Sequence, residues 1–291
     1  MRVTDLYAKK SPVISMEFFP PRDEAAAEKF DGIVDKLADR NPDFMSVTFG
    51  AGGSNRDGSY QTIKKLAKDK GLPTVAYIAG YGLGPDEITE VLDNYKNLGI
   101  ETIFVIRGDQ PKDENFAAHP DSFSHASDMI SFIRQRYDFT LGCAAYPEGH
   151  VESPSLEQDI AFLKKKQDSG ADYVVAQFCY DNRFFTNFMD KCRAAGITVP
   201  IVPGIMPVYT VKLINILSSV CGATITPELQ EKLDAVADKD KETVLQTGID
   251  FAVDQCRDLL RQGVCGVHFY TMNRSKSTCE IIDRLKDENL F

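Results

Sequence analysis

Three observations predict an α/β protein built as a single (β/α)8 barrel with extra helices between strands 7 and 8. Eight short runs are apolar almost throughout, as strands buried on both faces should be. Stretches with helical periodicity lie between them. No linker, repeat or low-complexity segment divides the 291 residues, so one domain over 1–291 is expected. A doubly wound open sheet is the rival, but it rarely keeps eight such regular strand–helix units.

The first run, VISMEFF (13–19), leads into 24–38. There Phe30, Ile33, Val34 and Leu37 form one stripe, with Glu28, Lys29, Asp31 and Lys36 opposite, which predicts an amphipathic helix. The second, FMSVTF (44–49), is followed by GAGGSNRDG (50–58). With Asn55 in its sixth place this is a glycine-rich strand-to-helix loop and not the dinucleotide fingerprint GxGxxG. The third, TVAYIA (74–79), precedes Pro85-Asp86-Glu87, the chemistry of a first helical turn. The fourth and fifth are TIFVI (102–106) and FTLGCAAY (139–146). Ser155 and Gln158 then stand at capping-box spacing for a helix near 155–169. DYVVAQF (172–178) and VPIVPGI (199–205) are the sixth and seventh. Thr226-Pro227-Glu228 starts an additional helix in the long connection before the eighth, GVHFYT (266–271).

Lys and Arg less Asp and Glu give 33 − 43 = −10. That field argues against nucleic acid and anionic membrane as partners, and requires a local basic cluster for any anionic ligand. No run reaches the ~18 apolar residues of a membrane span, and the N-terminus lacks the apolar stretch of a secretory signal. The seven cysteines are widely spaced with no CxxC pair, so neither a disulfide framework nor a cysteine metal site is expected, and a cytoplasmic location is.

Polar residues collect where the strands of such a barrel end, which is where its chemistry occurs. Glu17 interrupts the first run, Thr48 sits near the end of the second and Tyr77 within the third. Arg107-Gly108-Asp109 ends the fourth, Tyr146 to His150 ends the fifth, Gln177 lies in the sixth, and Tyr270, Asn273 and Arg274 close the eighth. Burial in an apolar run disfavours an ionised carboxylate, and an acid that keeps its proton near neutral pH suits proton donation, so Glu17 is the candidate general acid. Its structural alternative is an ion pair with Arg22 or Arg107. Arg-Gly-Asp is a common turn, and only its place at a strand end raises Asp109 above that. Gln177 serves equally well as a partner for a neighbouring strand. His150 has no second histidine at metal-ligand spacing, so no metal site is expected. Lys164 to Lys166 read as a solvated helix face or, following the fifth strand, as a phosphate contact.

Seven segments in order then carry a family resemblance: SMEFFPPR (15–22), SVTFGAGG (46–53), IRGD (106–109), AAYPEGH (144–150), AQFCYD (176–181), IVPGIMPV (201–208) and HFYTMNR (268–274). Together they resemble the 5,10-methylenetetrahydrofolate reductases over about residues 13–278. The resemblance implies a flavin-dependent TIM barrel, with FAD as cofactor and FMN as the alternative. It implies ping-pong hydride transfer from NAD(P)H to methylenetetrahydrofolate. Glu17 matches the family's general acid, and Asp109 a carboxylate that contacts both flavin and pterin. Gln177 and Arg274 match folate-binding positions, with Tyr270 beside them, and Thr48 matches a position that contacts nicotinamide and flavin. Cofactor positions are Thr48, Phe49, Ala51, Arg107, Gly108, Asp109, Ala126, Tyr146, His150, Asp159 and Lys166. Tyr77, His125, Phe162 and Lys165 stand where relatives carry His, Tyr, Asn and Arg on the flavin side; Leu213 replaces a glutamine on the folate side. The regulatory S-adenosylmethionine-binding extension of eukaryotic members is not expected. A homo-oligomer or a complex with an electron-transfer subunit is compatible with the family, the latter for a chain unable to use NADH alone. The remaining alternative is another flavin barrel, such as a proline dehydrogenase, which would need a different acid and substrate clamp.

Overall fold

The structure, a computed structural model, describes residues 1–50, 56–110 and 116–291. Eight parallel strands pair in chain order and close into a barrel. They are β1 (Val13–Phe18), β2 (Phe44–Val47), β3 (Thr74–Ala79), β4 (Thr102–Ile106), β5 (Thr140–Ala145), β6 (Tyr173–Phe178), β7 (Ile201–Ile205) and β8 (Gly266–Tyr270). Several apolar runs outlast their strands. Thr48 and Phe49 lie beyond β2, although the Thr48 N–H still donates to Phe18 O at 3.0 Å.

The helices follow from local chemistry. In α2 (Glu24–Ala38), Asp23 accepts the Ala26 N–H at 2.7 Å, and Phe30, Val34 and Leu37 are buried. Next comes α3 (Arg56–Lys64), which runs into a π-helical turn at Lys65–Asp69. In α4 (Pro85–Asn97), Glu87 reaches back to the Gly84 N–H at 2.9 Å. After α5 (Ala126–Arg134), α6 (Leu156–Asp168) is capped by Ser155, which accepts the Gln158 N–H at 3.2 Å. After α7 (Asn182–Ala194), three helices fill the connection between β7 and β8: α8 (Val211–Cys221), α9 (Pro227–Asp234) and α10 (Lys241–Arg261). They enclose a second small core containing Phe178, Tyr180, Met206, Leu229 and Leu233. The chain closes with α11 (Lys276–Asp287).

One element was not foreseen, the N-terminal helix α1 (Val3–Lys9). It sits at the N-terminal end of the barrel, where the Val3 N–H donates to Thr102 Oγ1 at 3.2 Å. Its seven residues are too few to show a helical period in sequence. Among the described residues no helix is long and apolar enough to cross a membrane.

Candidate active site

Glu17 lies near the C-terminal end of β1, 5% exposed in a wholly buried strand. Parallel pairing sets it beside Ser46 of β2 and Tyr270 of β8. The ion pair with Arg22 or Arg107 is not formed among the described residues: Arg107 binds Glu152 at 2.8 Å, and Glu17 instead has His268 beside it, with Nε2 3.9 Å from Oε2. Tyr77 of β3 stacks on Phe104 at 4.4 Å, with its phenol near enough to feel the Glu17 carboxyl. Burial first, and then the Glu17 carboxylate, push both Tyr77 and Tyr270 well above the ordinary phenol range. Both are neutral donors.

Tyr270 donates to Ala176 O at 3.2 Å, close to where the β6–β7 register shifts between Val175 and Phe178. A shifted ladder leaves backbone groups for side chains. Gly204 of β7 makes the approach possible, since a Cβ there would lie 2.3 Å from Ala176 O and 2.4 Å from the Tyr270 ring. In the same shift Gln177 accepts its neighbour Phe178's N–H at 3.1 Å. The turn after β8 is tied to β1: Thr271 donates to Glu17 O at 2.6 Å, and Asn273 exchanges two bonds with the Phe19 backbone at 3.0 and 2.9 Å. Met272 and Asn273 adopt φ of 51° and 53° to do so, a conformation costly for methionine. Arg274 is held with its guanidinium 4.9 Å over the Tyr209 ring.

Beside this cluster a cavity of about 480 Å³ opens at the ends of β4 and β5. Arg107, Gly108 and Asp109 form one wall, His125 and Ala126 of the α5 N-terminus another, Tyr146 and His150 a third, and Asp159, Phe162, Lys165 and Lys166 of α6 the last. Gly108, at φ 83°, lies flat against β3; a Cβ would sit 3.0 Å from that of Ala79. Asp159 accepts the His150 N–H at 3.2 Å. Burial raises its carboxyl above the usual range, against the pull of Lys166. Tyr146, edge-on to His150 at 4.5 Å, is pushed up to about 12, chiefly by burial. The lysine run divides: Lys164 pairs with Asp168 along the helix, whereas Lys165, 3.3 Å from Asp128, and Lys166, donating to Ala144 O at 2.9 Å, line the cavity. His125 and Phe162 stack with centroids 6.4 Å apart. The Tyr270 phenol feels both Glu17 and Tyr146, so the two clusters adjoin.

Thr48 Oγ1 is buried without a partner among the described residues. Phe49 is buried in the barrel core. Ala51 lies outside the described residues.

Residues 2–286 match the model of a family described as methylenetetrahydrofolate reductase. The chain belongs to the methylenetetrahydrofolate reductase family. It is therefore an oxidoreductase. The 5,10-methylenetetrahydrofolate reductase of Escherichia coli K12 is 34% identical over 272 residues, covering 94% of this chain and 90% of that enzyme. Methylenetetrahydrofolate reductase (NADH) 1 of Arabidopsis thaliana is 34% identical over 283 residues, 93% of this chain but 48% of the plant protein. Among solved structures, an uncharacterized Clostridium thermocellum protein that binds two copies of 5-methyl-5,6,7,8-tetrahydrofolic acid superposes with a TM-score of 0.67 over 97% of each chain. At 16% identity that likeness shows the fold.

Sequence reasoning does not single out Ser15 and His268. The signal was available in the alternation, since Ser15 and Glu17 share one face of a strand, as do His268 and Tyr270. Only closure of β8 against β1 makes the two pairs neighbours.

Proposed function

We propose that this chain reduces 5,10-methylenetetrahydrofolate to 5-methyltetrahydrofolate, with NAD(P)H as hydride donor and a flavin as resident carrier. The observation that carries the reading is the buried carboxyl of Glu17 at the barrel mouth, beside a cavity lined by Arg107, Lys165 and Lys166. The residues present fit a flavin nucleotide. Three cations suit its phosphates, the His125–Phe162 stack suits an adenine ring, and the orphaned Thr48 hydroxyl and flat Gly108 backbone suit the isoalloxazine. The adenine stack favours FAD over FMN. Bound there, the group supplies two-electron hydride chemistry.

The chain's own residues do the rest. Glu17 holds the proton that must reach the departing folate nitrogen as the methylene bridge opens to an electrophilic iminium. Gln177, Tyr270 and Arg274 orient the folate, and Asp109 binds the pterin from the cavity side. Tyr77 donates to the Glu17 carboxylate once the proton has left. The C. thermocellum barrel's methyltetrahydrofolate and the plant relative's NADH agree with this assignment.

The test is anaerobic half-reaction kinetics on the purified protein, after its flavin has been identified. NADH should bleach the flavin, and methylenetetrahydrofolate should restore its colour. Glu17→Gln should bleach at a near-normal rate yet fail to reoxidise with folate. Equal loss of both half-reactions would make Glu17 structural.

A further inference from the structure

We propose that His268, held by Ser15, is the positioning residue that keeps Glu17 in its proton-bearing form, an inference that rests on the acid role given to Glu17 above. His268 stands on β8 opposite Ser15 of β1 and is 1% exposed. Its Nδ1 lies 2.8 Å from Ser15 Oγ, and Ser15 Oγ donates to Val267 O at 3.3 Å. A serine hydroxyl has one proton. In the proposed arrangement that proton goes to the Val267 carbonyl, so that Nδ1 carries the ring hydrogen and donates to Oγ. Nε2 is then a bare lone pair, buried without a partner among the described residues and 3.9 Å from Glu17 Oε2. A buried acceptor with nothing to accept is costly. A protonated Glu17 relieves it by donating toward the ring, whereas a carboxylate would set lone pair against lone pair.

Among the described residues no neighbouring element cancels this bias by supplying a cation. β7 places Gly204 against His268. β2 contributes the Phe44 ring, 6.4 Å away, and Ser46, whose hydroxyl is given to Met16 O at 3.3 Å. On β8 the Tyr270 hydroxyl is given to Ala176 O, while its ring stands edge-on to the imidazole at 5.3 Å and fixes the ring plane. Tyr77 of β3 is the opposing group, a phenol donor that favours the carboxylate. Glu17 thus sits between a lone pair that holds its proton and a donor that welcomes its loss. The path ends at Ser15, whose far neighbour is a carbonyl, so His268 does not convey protons from solvent. It sets the protonation of Glu17 and does not replenish it.

Two measurements test this. Nitrogen-15 NMR of the histidine-labelled holoenzyme, with only four histidines to assign, should find His268 as the Nδ1–H tautomer. An Nε2–H tautomer or an imidazolium overturns the proposal, and this readout needs no turnover. In His268→Phe, which keeps the ring volume, the pH midpoint above which folate fails to reoxidise the enzyme should fall by about one unit, a tenfold change in proton binding. Bleaching by NADH should be unaltered. An unmoved midpoint overturns the proposal. Ser15→Ala, which releases the ring, should move the midpoint the same way and decides the matter if the phenylalanine variant does not fold. A wild-type protein that neither holds flavin nor reduces the folate would instead sink the proposed function, leaving the tautomer to be judged by NMR alone.

Discussion

At the scale of single residues, burial bears directly on the carboxyl of Asp159. Its carboxyl is raised above the ordinary 3.8 by desolvation, so the native state holds a proton to higher pH than the unfolded chain. Stability must then fall as the pH rises through that window. Asp159→Asn keeps an oxygen for the His150 N–H and removes the buried charge. The flavin-free variant should therefore melt above the wild type at pH 7, the gain fading as pH falls below 3.8, when both states of the wild type are protonated. Melting curves against pH check this; a variant less stable at neutral pH would mean that attraction to Lys166 outweighs burial. Glu17 was legible in sequence because a carboxylate in an apolar run has few bland explanations. Its partner was not, because a histidine in a strand is ambiguous until its neighbour across the ladder is known.

Elements add direction to such residues. The lysine run looked the same in sequence from either side, and the phase of α6 separates it. Lys165 and Lys166 line the cavity and Lys164 turns along the helix to Asp168. On the flavin reading, Lys165→Ala with Lys166→Ala should weaken cofactor retention tenfold or more, since charge-assisted contacts to phosphate are worth ~1.5–3 kcal/mol each. Absorbance after gel filtration measures it, and full retention would return both lysines to a structural role. The stripe read for α2 and the capping spacing of Ser155 and Gln158 read for α6 put those helices where the structure has them. The short α1 has neither a side-chain cap nor a readable period, and its helix is fixed by docking.

In the whole molecule the two ends of the barrel have different duties. The N-terminal end is closed by α1, where Val3 is fully buried and the Tyr7 ring lies 6.1 Å from that of Tyr173. The proposed chemistry occupies the other end. Deleting residues 1–10 should thus cost stability, about 1.5–3 kcal/mol for Val3 alone, without loosening flavin or altering either half-reaction. Calorimetry and the same bleaching assay test the separation; loss of cofactor in a still-folded variant would show that the ends are coupled.

The sequence by itself determined the strand count, the order of units and which end of each strand is polar. Those properties follow from local periodicity, and a fully buried parallel strand announces itself as an unbroken apolar run. It also placed Glu17 among the candidates because a carboxylate departs from its apolar run, Asp109 because it ends the fourth strand, and Lys165 and Lys166 because they follow the fifth. What tertiary structure decided is which candidates meet. β1 and β8 lie some 250 residues apart in the chain, yet their pairing alone sets Ser15 against His268, separated by 253 positions. The β6–β7 register shift that meets Tyr270, and the positive φ at Met272, depend likewise on contacts made after the barrel closes. Closure is a long-range event, and no local pattern carries the register in which the last strand joins the first.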